Sequence, residues 1–179
     1  MKKKTPATPR KLIAWAQKQL AAADLYFGHG TDNARDEAAF LVLRSLQLPF
    51  AAEAAVLDQR LSQDQQDRVI ALINERIATR KPAAYLLGEA WFAGLRFFVN
   101  EQVLVPRSPI AELILEQFTP WCMVDSVKRI LDIGTGSGCM AIASAMAFPG
   151  ATVEAIDIST EALAVARRNV TDYDLQNRV

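Results

Sequence analysis

The chain contains a short apolar run that stops at a loop with glycine at every second position. Residues 130–133 are of β type, and residues 140–147 after the loop are rich in alanine. The loop itself consists of Gly134, Thr135, Gly136, Ser137 and Gly138. This succession predicts the first β-loop-α unit of a doubly wound α/β sheet, in which ligands bind at the carboxyl ends of the strands. Glycines let a backbone approach a small molecule closely and adopt positive φ.

A second strand-like run follows at residues 151–156 and ends at Asp157. A carboxylate after the second strand is well placed to accept hydrogen bonds from a ribose diol. Ser159 or Thr160 can cap the helix that we predict from about residue 161 to 170. Two parallel strands are far fewer than the roughly six of a complete doubly wound sheet. We therefore expect that the chain is a fragment, that a partner covers the exposed edge of its sheet, or that the chain forms a dimer.

The first 84 residues have a different character, because their apolar residues recur at helical spacing. Thr8 followed by Pro9 predicts the start of one helix, and Ser62 predicts the start of another. We predict an all-helical domain at residues 1–84. Plain helix packing and a recognition module for a macromolecular substrate both fit this composition.

Residues 85–105 predict a β-hairpin linker between the helical domain and the α/β part at residues 106–179. Two β-rich runs, 96–99 and 102–105, are separated by Asn100-Glu101, and we expect them to pair. Arg107 follows the second run. It is a candidate residue on the substrate side of a site, although it could equally well pair with a carboxylate.

Bulk composition excludes several function classes. Lysines plus arginines equal aspartates plus glutamates in number, so no direct signal for nucleic-acid binding is present. No apolar run reaches the length of a membrane span. Two cysteines and one histidine predict neither a disulfide framework nor a metal site. We predict a cytoplasmic protein with a frayed basic terminus at Lys2, Lys3 and Lys4.

Three ligands compete for the glycine loop. A phosphate-binding P-loop requires Gly-Lys-Ser/Thr at the helix start, and Gly138-Cys139-Met140 excludes it. Residues 136–141 fit the dinucleotide pattern G-x-G-x-x-A, but that match leaves Asp132 and Gly134 unexplained. S-adenosylmethionine carries an ammonium and a sulfonium, and an acid such as Asp132 near the strand end suits that positive charge. This cofactor fits best, while a loop-capping role for Asp132 remains the structural alternative.

Four segments together resemble one family. Residues 131–138 (Leu-Asp-Ile-Gly-Thr-Gly-Ser-Gly) resemble the first motif of class I S-adenosylmethionine-dependent methyltransferases. Residues 80–88, 91–94 (Trp-Phe-Ala-Gly) and 103–107 (Val-Leu-Val-Pro-Arg) resemble the linker of the HemK/PrmB-type protein-glutamine methyltransferases. The residues after Arg107 are most similar to the ribosomal-protein branch of that family.

The resemblance implies a fold and an activity. The fold would be an all-helical N-terminal domain, a β-hairpin linker and the first part of a Rossmann-like methyltransferase domain. The activity would be methylation of a glutamine side-chain amide in a large-subunit ribosomal protein, with the helical domain holding that substrate. The residues expected to bind the cofactor are Asp132, Gly134, Thr135, Gly136, Ser137, Gly138 and Asp157.

One departure from the family limits this expectation. The family's Asn-Pro-Pro-Tyr motif, which holds the glutamine amide for methyl transfer, does not occur in this chain. We therefore expect no catalytic residue here, and a chain that is inactive or nearly so by itself. Two alternatives stay open at this point: a noncatalytic binding module for a translation component, and an NAD-binding Rossmann protein.

Overall fold

The computed structural model describes residues 7–179 and divides the chain into two compact units, Met1–Leu87 and Gly88–Val179. The lysines for which we predicted a frayed terminus lie outside the described residues. The domain limits predicted from the sequence, at residues 84 and 105, stay predictions.

The first unit is helical in its described part. Its helices are α1 (Pro9–Ala22), α2 (Ala34–Ser45), α3 (Ala54–Leu57), α4 (Gln63–Thr79) and α5 (Ala83–Leu87). Both predicted helix starts are confirmed: the Thr8 side chain caps α1, and Ser62 forms a reciprocal capping box with Gln65 at α4. The core that these helices enclose includes Leu12, Leu20, Leu41, Val42, Val69 and Ile73.

An ion pair lies inside this helical unit. Arg76 Nε in α4 donates to Glu37 Oε1 in α2 over 2.7 Å, and each side chain is only 2% exposed. Arg76 also donates to the Tyr26 carbonyl, and Thr31 donates to the second oxygen of Glu37. The pair therefore joins two helices and the loop that precedes α2, with its buried charges satisfied by hydrogen bonds.

The second unit contains the predicted α/β succession. Its strands are β1 (Glu89–Phe92), β2 (Leu95–Phe98), β3 (Arg129–Ile133) and β4 (Thr152–Ile156). Its α-helices are α6 (Ile110–Leu115), α7 (Cys139–Ala147) and α8 (Thr160–Asp172). β3 and β4 pair in parallel, with Asp132 opposite Ala155, and Ser159 caps α8. The order strand, glycine loop, helix, strand, helix is confirmed.

The predicted hairpin pairing is wrong. β1 pairs with β2 in antiparallel register from Glu89 opposite Phe98 to Phe92 opposite Leu95, and residues 102–105 form no strand. The turn consists of Ala93 and Gly94, both at positive φ (49° and 75°). A two-residue turn with positive φ at both positions matches the right-handed twist of the two strands that it joins. Asn100 and Glu101 do not have positive φ, so they do not form such a turn.

The two faces of the parallel sheet differ in their surroundings. Ile130, Val153 and Ala155 belong to or pack against the apolar cluster that also contains α7 residues such as Ile142. The other face carries exposed side chains of Leu131, Ile133 and Ile156. Association through the edge of this sheet stays a prediction.

Among the described residues, none of the helices has the length and apolar character that a membrane span requires.

Candidate functional site

A cleft of about 490 Å³ lies beside the glycine loop, entirely within the second unit. Two chain segments supply most of its lining, the glycine loop (residues 134–138) and residues 102–107, which we call the 102–107 segment. Six of the residues predicted for the site line it: Arg107, Gly134, Thr135, Gly136, Ser137 and Asp157. Asp132 and Gly138 do not. A volume of this size is typical of small-molecule sites.

The backbone of the loop requires its glycines. Gly134, Gly136 and Gly138 all have positive φ (76°, 55° and 78°), a region that residues with a Cβ atom seldom adopt. At Gly138 a Cβ atom would also lie 3.2 Å from the Cβ of Ala166 in α8. The amide of Gly134 donates to the carbonyl of Ile156, which attaches the loop to the end of β4.

Asp157 holds the loop from the end of β4. Its Oδ1 accepts a hydrogen bond from the Ser159 amide at 2.9 Å, and its Oδ2 accepts one from the Gly136 amide at 2.8 Å. These two bonds keep the pKa of Asp157 below its ordinary value. The carboxylate is therefore ionised at neutral pH. An ionised carboxylate has about four acceptor positions, so Asp157 retains capacity for a ligand hydroxyl.

This arrangement predicts how the loop responds to pH. Because the pKa of Asp157 in the folded chain is below 3.8, its contribution to stability is present above pH 3.8 and is lost as the pH falls through the folded value. The Gly136 amide resonance should therefore be unchanged between about pH 8 and about pH 5 and move only in more acidic solution. An NMR titration of this amide measures it. Asp157→Asn is the control without a titrating group, and a midpoint above 3.8 contradicts the prediction.

Asp132 contacts the cleft indirectly. Its Oδ2 accepts a hydrogen bond of 2.6 Å from the hydroxyl of Thr135, which does line the cleft. A structural role of this kind was the alternative that the sequence left open for Asp132, although the bond comes from a hydroxyl rather than from backbone amides. Direct contact of Asp132 or Gly138 with a ligand stays a prediction.

Cys139 begins α7 next to the loop, and burial raises the pKa of its thiol, which therefore remains protonated at neutral pH.

Sequence reasoning missed part of the lining. Val103 and Val105 are buried, while Leu104 between them is 87% exposed. The 102–107 segment belongs to no strand, and it lines the cleft instead. Arg107 is the last residue of this segment and has an exposed side chain, and its substrate-side role stays a prediction. Within residues 7–179, no three His, Cys, Asp or Glu side chains gather as a metal site would require.

Two domain families match the chain. Residues 11–88 match the PrmC N-terminal domain, which covers most of the helical unit. Residues 111–179 match the Methyltransferase small domain, which includes β3, the glycine loop, α7, β4 and α8. The glycine loop and Asp157 thus lie in the part of the chain that matches a methyltransferase domain, whereas the 102–107 segment lies between the two matched ranges.

Curated relatives match almost the whole chain. Proteins named ribosomal protein uL3 glutamine methyltransferase from Bordetella pertussis, Burkholderia pseudomallei and Neisseria meningitidis are 51%, 47% and 44% identical to it over 173 residues. Each alignment covers 96% of this chain, but only 58%, 56% and 57% of the respective relative. The chain therefore spans less than three fifths of the length of these relatives. The two domain matches and these relatives confirm the resemblance of the chain to the HemK/PrmB-type glutamine methyltransferases.

Proposed function

We propose that the cleft beside the glycine loop binds S-adenosylmethionine, and that the protein serves the methylation of a glutamine side-chain amide in ribosomal protein uL3. One observation carries the proposal. A glycine-rich loop and the ionised carboxylate of Asp157, joined by the Gly136 hydrogen bond, line one cleft, and both lie in the part of the chain that matches a methyltransferase domain.

The residues of the cleft suit this cofactor. No heavy atom lies within 4 Å of the position that a Cβ atom would take at Gly134 or Gly136, so a ligand can approach this backbone closely. Asp157 accepts hydrogen bonds from the ribose hydroxyls with the acceptor positions that its backbone bonds leave. The apolar side chains of Val103 and Val105 exclude water from the lining. The cofactor supplies a methyl group made electrophilic by its sulfonium.

The helical unit supports the substrate side of the proposal. We assign to this unit, which matches the PrmC N-terminal domain, the surface that holds uL3, the protein named in the relatives' names. Such a protein would act in the cytoplasm, where ribosomal proteins are available. We assign no residue of this chain to orientation of the glutamine amide, since the Asn-Pro-Pro-Tyr sequence does not occur in it.

Calorimetry on the 179-residue chain tests the cofactor assignment. We expect saturable heat on titration with S-adenosylmethionine and none on titration with NAD, because the ionised carboxylate of Asp157 beside the loop attracts a sulfonium and repels a pyrophosphate. Saturation with NAD alone would reverse the assignment. A methylation assay with uL3 should give little product beside a full-length relative as positive control, and comparable rates would contradict our account of the missing motif.

A further inference from the structure

Asn169 in α8 makes three hydrogen bonds with an amide side chain that is only 1% exposed. Its Nδ2 donates to the carbonyl of Ser137 at 2.8 Å and to the carbonyl of Phe98 at 2.9 Å. Its Oδ1 accepts from the amide of Phe98 at 2.8 Å. All the hydrogen bonds are to backbone atoms far away in sequence, so this side chain fixes main-chain positions rather than another side chain.

The two backbones that Asn169 joins lead to the two parts of the cleft lining. Ser137 belongs to the glycine loop. Phe98 is the last residue of β2, and the chain continues from it through a turn, closed by the Val103 amide donating to the Asn100 carbonyl, into the 102–107 segment. Asn169 itself does not line the cleft.

We propose that Asn169 is a positioning residue, which sets the separation between the glycine loop and the 102–107 segment and so holds the cleft in its binding geometry. That this cleft binds S-adenosylmethionine rests on the proposed function, whereas the restraint of Asn169 on the glycine loop does not. Preorganised lining saves the cost of ordering two segments when a ligand binds.

The chemistry of the contact requires an amide. An asparagine side chain supplies two donors and one acceptor in one plane, and all three are used here. Aspartate at residue 169 would place a carboxylate oxygen against the carbonyl oxygens of Ser137 and Phe98. A carboxylate has no donor, so neither carbonyl would receive a hydrogen bond. Alanine or leucine would leave those two carbonyls and the Phe98 amide without their partner in a buried place.

Tyr173, the residue that follows the end of α8 as its C-cap, provides a matched control. Its hydroxyl donates to the Arg96 carbonyl and accepts from the Arg96 amide, both at 2.9 Å. This contact joins α8 to β2 as Asn169 does, but it does not reach the glycine loop. Tyr173→Phe therefore removes a comparable link between helix and hairpin without touching Ser137.

The experiment uses the full chain labelled with ¹⁵N-glycine. The chain has eight glycines, so its spectrum is simple, with Gly134, Gly136 and Gly138 reporting on the loop and Gly94 on the hairpin. We expect Asn169→Ala to shift the loop signals and to weaken binding of S-adenosylmethionine about tenfold, which corresponds to the loss of one buried hydrogen bond. Tyr173→Phe should shift Gly94 and leave the loop signals and the affinity unchanged.

The outcomes separate the two proposals. Loop signals that move in Asn169→Ala uphold the positioning role even if the native chain fails to bind S-adenosylmethionine, a result that would overturn only the proposed function. A folded Asn169→Ala chain that behaves like Tyr173→Phe overturns the positioning role. If the variant does not fold, hydrogen exchange of the Asn169 side-chain amide in the native chain decides: slow exchange supports the role, and exchange as fast as in exposed asparagines overturns it.

Discussion

Arg76→Met is expected to lower the free energy of unfolding of the helical unit by about 3 to 5 kcal/mol, the usual cost of leaving one buried charge without its partner. The variant leaves the carboxylate of Glu37, which is 2% exposed, with only the Thr31 hydroxyl as a partner. It also frees the Tyr26 carbonyl. Urea denaturation followed by far-ultraviolet circular dichroism measures the change.

Two further variants give this measurement its meaning. Replacing both charges, in Glu37→Leu with Arg76→Met, should recover much of the lost stability, because apolar residues of similar volume often replace a buried pair without cost. Arg10→Met breaks the exposed pair between Arg10 and Asp58 and should change stability far less. If Arg76→Met and Arg10→Met had equal effects, the buried pair would not hold α2 and α4 together.

Asp157→Ala is expected to weaken binding of S-adenosylmethionine by about 1 to 3 kcal/mol, that is, roughly five- to 150-fold. The substitution has two consequences. It removes the acceptor assigned to the ribose, and it releases the amides of Gly136 and Ser159 that the carboxylate holds. Titration calorimetry on the native and variant chains measures the ratio of affinities.

Glu161→Ala is the matched control for the loss of charge. Glu161 lies four residues further along the chain in the first turn of α8, and its carboxylate accepts from the hydroxyls of Ser159 and Thr160 rather than from the loop. Its removal should leave the affinity unchanged. Equal losses in the two variants would indicate a general electrostatic effect, and no loss in Asp157→Ala would remove Asp157 from the site.

The sequence was sufficient wherever the decisive interactions are local. Thr8 and Ser62 each cap a helix through an amide three residues away. The positive φ of the three loop glycines is likewise a property of the glycine residues themselves. The order of β3, α7, β4 and α8 could be predicted for the same reason, since apolar periodicity and glycine punctuation alternate within short windows.

Pairings between distant residues could not be predicted. Residues 102–105 and 89–92 both have β-type character, and the choice between them as the partner of β2 depends on the positive φ of Ala93 and Gly94. Nothing in the local pattern marks Asn169, which bonds to Phe98 over 71 residues, or Arg76, which bonds to Glu37 over 39. Such contacts depend on which elements pack together.

The candidate site was predictable to a similar extent. The predicted ends of the two strands indicated the loop glycines and Asp157 as site residues, because the carboxyl ends of neighbouring parallel strands lie at the same edge of a sheet. They did not give the 102–107 segment, whose place beside the loop follows from the hairpin that precedes it. Asp132 was expected to face the ligand on grounds of charge, but its orientation depends on the nearby hydroxyl of Thr135.

The exposed face of the parallel sheet has a calorimetric consequence. Leu131, Ile133 and Ile156 present aliphatic groups to water in the folded state, and Ile133 is 74% exposed. The heat capacity of unfolding arises mainly from apolar surface that becomes hydrated only when the chain opens. Since these groups are already hydrated, the second unit should have a small heat-capacity increment for its length, and its stability should vary only gently with temperature.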